Sequence, residues 1–128
     1  MNTISLHGDF TPQGCAARQP PQPAVTLGPG VIWMHAYNTV TTKGGRYVQG
    51  GGCGTVGVAG LVQGGGFGTY SKQFGTAGAS LLEAEIVTAG WGGRRAAHPC
   101  GLKSSCKEIA FMRRVQISRE SGAFDLPR

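Results

Sequence analysis

Acidic side chains are scarce: the 128 residues hold six Asp and Glu, and none falls between Asp9 and Glu83. That gap argues against a nicotinamide-dinucleotide fold, whose Gly-rich turn needs an acid about 20 residues on to hold a ribose hydroxyl. Gly52-Cys53-Gly54-Thr55-Val56-Gly57 does fit G-x-G-x-x-G, but it has no such acid and no βαβ unit after it. A phosphate-binding P-loop fails outright, because no glycine is followed by Lys-Ser or Lys-Thr. Long apolar runs are missing too, and with them a membrane-spanning helix. Cys15, Cys53, Cys100 and Cys106 are too few and too scattered for a disulfide framework. His98, Cys100 and Cys106 match no common zinc spacing and lack an evident fourth ligand, so no metal is expected. Met1 to Asp9 shows neither the basic start nor the apolar stretch of a secretory signal, which leaves the cytoplasm as the default compartment.

The length suits one domain with a real core. The net charge of +6 is unevenly placed. Residues 1–89 hold four Lys and Arg against three acids, whereas residues 90–128 hold eight against three. The basicity belongs to a tail with no repeat, aromatic platform or nucleic-acid motif, so it reads as solvated or disordered rather than as a nucleic-acid surface.

What the chain has in quantity is glycine. Twelve of the 25 residues from Gly44 to Gly68 are glycine, arranged around Cys53. Glycine loses more backbone freedom on folding than any other residue, so such density suits backbone that must lie very close to something else. A flexible linker would carry Ser and polar filler. Here Val56, Val58, Leu61, Val62 and Phe67 are interleaved, which suits burial.

Around this cluster the pattern predicts a strand over residues 2–7, a Pro-rich loop over 12–23 and a strand over 24–28. Trp33, Ala36, Tyr37 and Val40 fall on one face of a helix that stops at Gly44-Gly45. A short strand over 46–49 leads into the cluster. A short helix follows over 56–62 with Thr55 as its N-cap, then a helical turn over 70–74 and a strand over 81–88. Elements of both kinds in irregular order predict an α+β fold. Residues 90–128 carry two weak apolar patches and no convincing pattern. Tyr37, on the apolar helix face, reads as core rather than catalytic.

Cys53 admits two readings from its residues alone. A lone cysteine is commonly a small buried hydrophobe. Between glycines and ahead of a helix, it also lies where access is easy and a thiolate is favoured, near the N–H groups of Val56 and Gly57.

The run Tyr47-Val48-Gln49-Gly50-Gly51-Gly52-Cys53-Gly54-Thr55-Val56-Gly57-Val58-Ala59-Gly60, with Gly64-Gly65-Gly66-Phe67-Gly68 and Glu85-Ile86-Val87-Thr88-Ala89, resembles the FAD-binding domain of FAD-linked oxidases. The likeness is to the berberine-bridge-enzyme-like branch of the vanillyl-alcohol-oxidase, or PCMH-type FAD-binding, superfamily, and covers about residues 1–89. It implies a fragment of that domain: short helices with a small, mainly antiparallel sheet. It also implies FAD as cofactor and a small organic substrate in the full-length family, with hydride passing from substrate to flavin. By position, Cys53 inherits the family cysteine that can bond to C6 of the flavin. Thr55, Val56, Gly57, Gly60, Ile86 and Val87 inherit cofactor-facing places.

The chain departs from the family as well. The pyrophosphate-binding Arg/Ser-Gly-Gly-His loop is not found, nor are the aromatic Leu-Phe-Trp-Ala segment and the substrate domain. The family's Ala-Asp-Gly reads Ala89-Gly90-Trp91 here. The expectation is therefore a partial FAD-binding domain over 1–89, joined to an unrelated, disordered or frameshifted basic tail over 90–128. No catalytic residue is assigned. The alternative is a non-catalytic fragment, inert or binding acidic partners through its tail.

Overall fold

The computed structural model describes residues 2–12, 20–88, 93–97 and 110–118. Five strands form one antiparallel sheet in the order β1-β2-β5-β3-β4. β1 spans Ile4–Phe10, β2 Gln22–Leu27, β3 Leu81–Thr88, β4 Gly93–Ala97 and β5 Ala110–Ser118. β3 has the bounds that its alternating apolar residues predict. The helices are short: α1 (Trp33–Tyr37), which widens into a π-helical turn over Asn38–Lys43, α2 (Val58–Gln63) and α3 (Ser71–Phe74). This is the α+β architecture expected from the sequence.

The core lies where the helices meet the central strands. Trp33, Ala36 and Val40 are fully buried, so the helical face read from their spacing is the one that packs. They share a cluster with Val25 and Leu27 of β2, Val58 and Val62 of α2, and Ala84 of β3. The π-turn stops at Gly45, whose φ of 60° lets its own N–H and that of Arg46 close back on the Thr41 and Val40 carbonyls, both at 3.0 Å.

β1 runs on to Phe10, past the expected end at residue 7, and β2 starts at Gln22, inside the expected Pro-rich loop, because its Pro-containing start still pairs with β1. Two further short elements also differ from expectation. Residues 46–49 form no strand; Tyr47 makes only an isolated bridge, and Val48 and Gln49 are buried. Side chains satisfy this segment instead: the Tyr47 hydroxyl donates to Gln49 Oε1, and Gln49 Nε2 donates to Ser71 Oγ at 2.8 Å. Thr55 does not cap α2. The N-cap is Gly57, with no side-chain cap, because Ile32 and Gly57 pair in a bridge and the Val58 N–H is spent on the Val31 carbonyl. That pairing holds Gly57 extended, so the helix begins at Val58.

Residues 90–128 contribute β4 and β5, which the sequence pattern did not signal. β5 pairs with β2 on one side and β3 on the other, and its Ile117 is fully buried. Glu85 of β3 lies in register with Arg95 of β4 and Arg114 of β5. The sheet does not end at Ala89.

Candidate functional site

Seven of the twelve glycines of the cluster contrast most clearly in what a Cβ would meet. Gly50, Gly66 and Gly68 have no room: a Cβ would lie 2.4 Å from Trp33, 2.6 Å from Ala77 and 2.0 Å from the Gly50 carbonyl oxygen, respectively, whereas at Gly51 it would meet only the movable tip of Leu61, at 2.5 Å. These glycines let the fold close on itself. Gly52, Gly57 and Gly60 have nothing within 4 Å, and none takes a positive φ. Neither packing nor backbone conformation forbids a side chain at these three. Gly8, which shares that openness, stands alone in edge strand β1.

The open glycines flank Cys53 along the chain. Cys53, Thr55, Val56 and Gly57 are exposed in the loop before α2, and Gly60 is exposed in the start of that helix. Five of the seven residues singled out from the sequence are thus brought together. Ile86 and Val87 lie on a different element, in β3, with Ile86 opposite Arg94 and Met112 and Val87 opposite Gly93 and Phe111.

Cys53 is a free, exposed thiol. Its Sγ lies 3.3 Å from Thr55 Oγ1. The Thr55 hydroxyl foremost, then the backbone N–H groups of Thr55 and Val56, favour the thiolate and hold this thiol below its ordinary value. Thr55 therefore serves the sulfur rather than the helix. Met34 folds over Gly54, with Cβ 3.3 Å from where a Gly54 side chain would begin, and stays about half exposed. Together with exposed Val56 it gives the loop an apolar border.

Two supports of this loop escaped the sequence reading. The first is Gln49, a buried amide that donates to Ser71 Oγ and to the Gly50 carbonyl, while Ser71 Oγ accepts from the Gly68 N–H at 2.8 Å. A polar side chain just before an apolar, glycine-rich stretch was its only signal. The second is Tyr37, read as core. It is half-buried and stacked on Trp33, with ring centroids 5.5 Å apart, and its hydroxyl reaches the Gly51 carbonyl.

Burial first, and the neighbouring Tyr47 second, push the Tyr37 phenol up from 10.0 to about 12. A raised folded-state value means that the folded chain keeps a proton the unfolded chain has already lost. Stability should thus be insensitive to this group below pH 10 and fall as pH rises from 10 to 12. Denaturant titrations across that window should show the fall in the native chain and a smaller one in Tyr37→Phe.

His98, Cys100 and Cys106 lie outside the described residues. Among the described residues, no group of three His, Cys, Asp or Glu could hold a metal ion. Among them too, no helix is long and apolar enough to cross a membrane.

No protein-family model matches the sequence. Individual proteins do. FAD-linked oxidoreductase malF of Malbranchea aurantiaca is 44% identical over 81 residues, which is 62% of this chain and 13% of that protein. FAD-linked oxidoreductase easE of Claviceps purpurea is 41% identical over 91 residues, 70% of this chain and 18% of that protein. The crystal structure of VAO-type flavoprotein MtVAO615 from Myceliophthora thermophila C1 superposes with a TM-score of 0.72 and 25% identity, covering 93% of this chain and 22% of that one. The chain is thus similar to one part of proteins named FAD-linked oxidoreductases and VAO-type flavoproteins, as expected of a partial domain. It spans less than a fifth of the length of either of these relatives. The likeness in fold to the VAO-type flavoprotein covers more of the chain than either sequence match does. The fold expected from the sequence, part of a PCMH-type FAD-binding domain, is the fold found.

Proposed function

We propose that this chain supplies one face of the FAD site of a flavin-dependent oxidoreductase, with Cys53 as the sulfur that would bond to the flavin ring. The C–S bond would replace a ring C–H, whose proton is released while the electron pair left on the flavin passes to oxygen. The observation that carries the reading is the set of open glycines. Gly52, Gly57 and Gly60 give up side chains that the fold has room for, around a free thiol. A flat ligand lying against the main chain accounts for that omission, because each Cβ would stand between ligand and backbone. The relatives named as FAD-linked identify FAD as the ligand.

The roles of individual residues follow. Thr55 holds the Cys53 sulfur toward its thiolate form, the nucleophilic one. Val56, Gly57 and Gly60 lie along the cofactor, and Ile86 and Val87 of β3 house its adenine half. FAD, when bound, would supply redox chemistry between an organic substrate and oxygen or another acceptor, with hydride as the transferred unit. The protein's part is to bind, orient and shield the cofactor.

The test is retention of flavin. Mixed with FAD, the purified chain should turn yellow and keep its flavin through acid denaturation, and Cys53→Ala should release it. Flavin retained by Cys53→Ala would move the anchor elsewhere. No binding at millimolar FAD would favour the alternative, a non-catalytic fragment.

A further inference from the structure

The loop that carries Cys53 is gripped by α1 at three carbonyls. The Trp33 N–H donates to the Val56 carbonyl at 3.1 Å and the Met34 N–H to the Gly54 carbonyl at 2.8 Å. The Tyr37 hydroxyl donates to the Gly51 carbonyl. At the start of the loop, Gly50 lies so close to α1 that a Cβ would come within 2.4 Å of both the Trp33 ring and the Tyr37 oxygen. Two of these ties are backbone to backbone and persist through side-chain substitution. The tie at Gly51 depends on one side chain.

We propose that Tyr37 is a positioning residue for Cys53: by fixing the Gly51 carbonyl, its hydroxyl sets the turn that places the thiol against Thr55. The proposal rests on the reading of Cys53 as the flavin anchor for its purpose, though its test needs no flavin. The phenol is well placed for the task. Its stacking on Trp33, at an interplanar angle of 27°, fixes the direction of the hydroxyl. With its value pushed up to about 12, it stays a neutral donor through the physiological range. The Sγ to Oγ1 separation of 3.3 Å reports on the turn, because hydrogen bonds weaken steeply with distance and misalignment. The contact is free of competing charge on its own elements. No Asp, Glu, Lys or Arg lies between Arg46 and Lys72, and α1 carries only His35 and Tyr37 as titratable groups.

The experiment is the pH dependence of iodoacetamide alkylation at Cys53 in the full chain without flavin. It is read by mass spectrometry on the tryptic peptide 47–72, which contains no other cysteine. Thr55→Val sets the size of the effect by removing the hydroxyl that favours the thiolate. Tyr37→Phe keeps the ring and its stacking but deletes the tie. Val40→Ala, a cavity in the buried core of the same helical run, controls for lost stability. The alkylation midpoint should move up in Thr55→Val, move up by most of the same displacement in Tyr37→Phe, and stay in place in Val40→Ala. Tyr37→Phe titrating like the native chain would overturn the proposal. So would Val40→Ala shifting as far as Tyr37→Phe, or no movement in Thr55→Val. Failure of the chain to take up FAD would count against the cofactor reading alone and leave this result standing.

Discussion

Gly68→Ala is expected to destabilise the chain severely. The Cβ it adds would lie 2.0 Å from the Gly50 carbonyl oxygen and 3.1 Å from its carbon. Neither is the end of a flexible side chain that could swing away. Gly50 is itself confined by Trp33, which is fully buried, and by Tyr37. The conflict therefore has to spread into the core or separate the two strands of the loop. A cost at or beyond the roughly 3 kcal/mol upper end of ordinary overpacking is expected. Against a total stability of about 5–15 kcal/mol for a domain, that removes a large fraction. The melting temperature should drop by about 10 °C or more. Gly50→Ala should behave alike. Thermal denaturation followed by circular dichroism checks both, and a melt within a degree or two of the native chain would show that this packing is not needed.

Substitutions at the open glycines should act in the reverse sense, sparing the fold and removing the ligand. Gly57 has φ −68° and ψ 135°, an extended conformation that a β-branched residue adopts readily, with nothing within 4 Å of its Cβ position. Gly57→Val should therefore change stability by no more than about 0.5 kcal/mol. Its branched side chain would occupy the surface on which the cofactor is proposed to lie. FAD affinity should fall about 100-fold, equivalent to about 2.8 kcal/mol. Gly60→Ala gives a sharper contrast, because alanine is favoured over glycine inside a helix by roughly 0.5–1 kcal/mol. The free chain should become more stable while its hold on FAD weakens. A loss of stability that tracks the loss of binding would place these glycines with the packing group.

Much of this arrangement was legible in the residues. The face of α1 followed from the spacing of Trp33, Ala36 and Val40, and β3 from its alternation, because burial on one side imposes those periods. The motif around Cys53 pointed to the loop that gathers Thr55, Val56, Gly57 and Gly60. Three things could not be read locally. Thr55 looked like a helix cap, but a bridge from Ile32, distant in sequence, delays the helix to Val58. β4 and β5 carry little alternation of their own and are held by strands from the first part of the chain. The division of the glycines into packed and open sets depends on which residues face each one. Glycines as near in sequence as Gly50 and Gly52 fall on opposite sides of it.

That division can be tested residue by residue. With the chain labelled for nuclear magnetic resonance, addition of FAD should shift the amide signals of Gly52, Gly57 and Gly60 together with that of Cys53. Those of Gly66 and Gly68, turned into the fold, should move far less. The account would be contradicted if FAD bound while the three open glycines kept their signals unchanged, or if the packed glycines responded as strongly as the open ones.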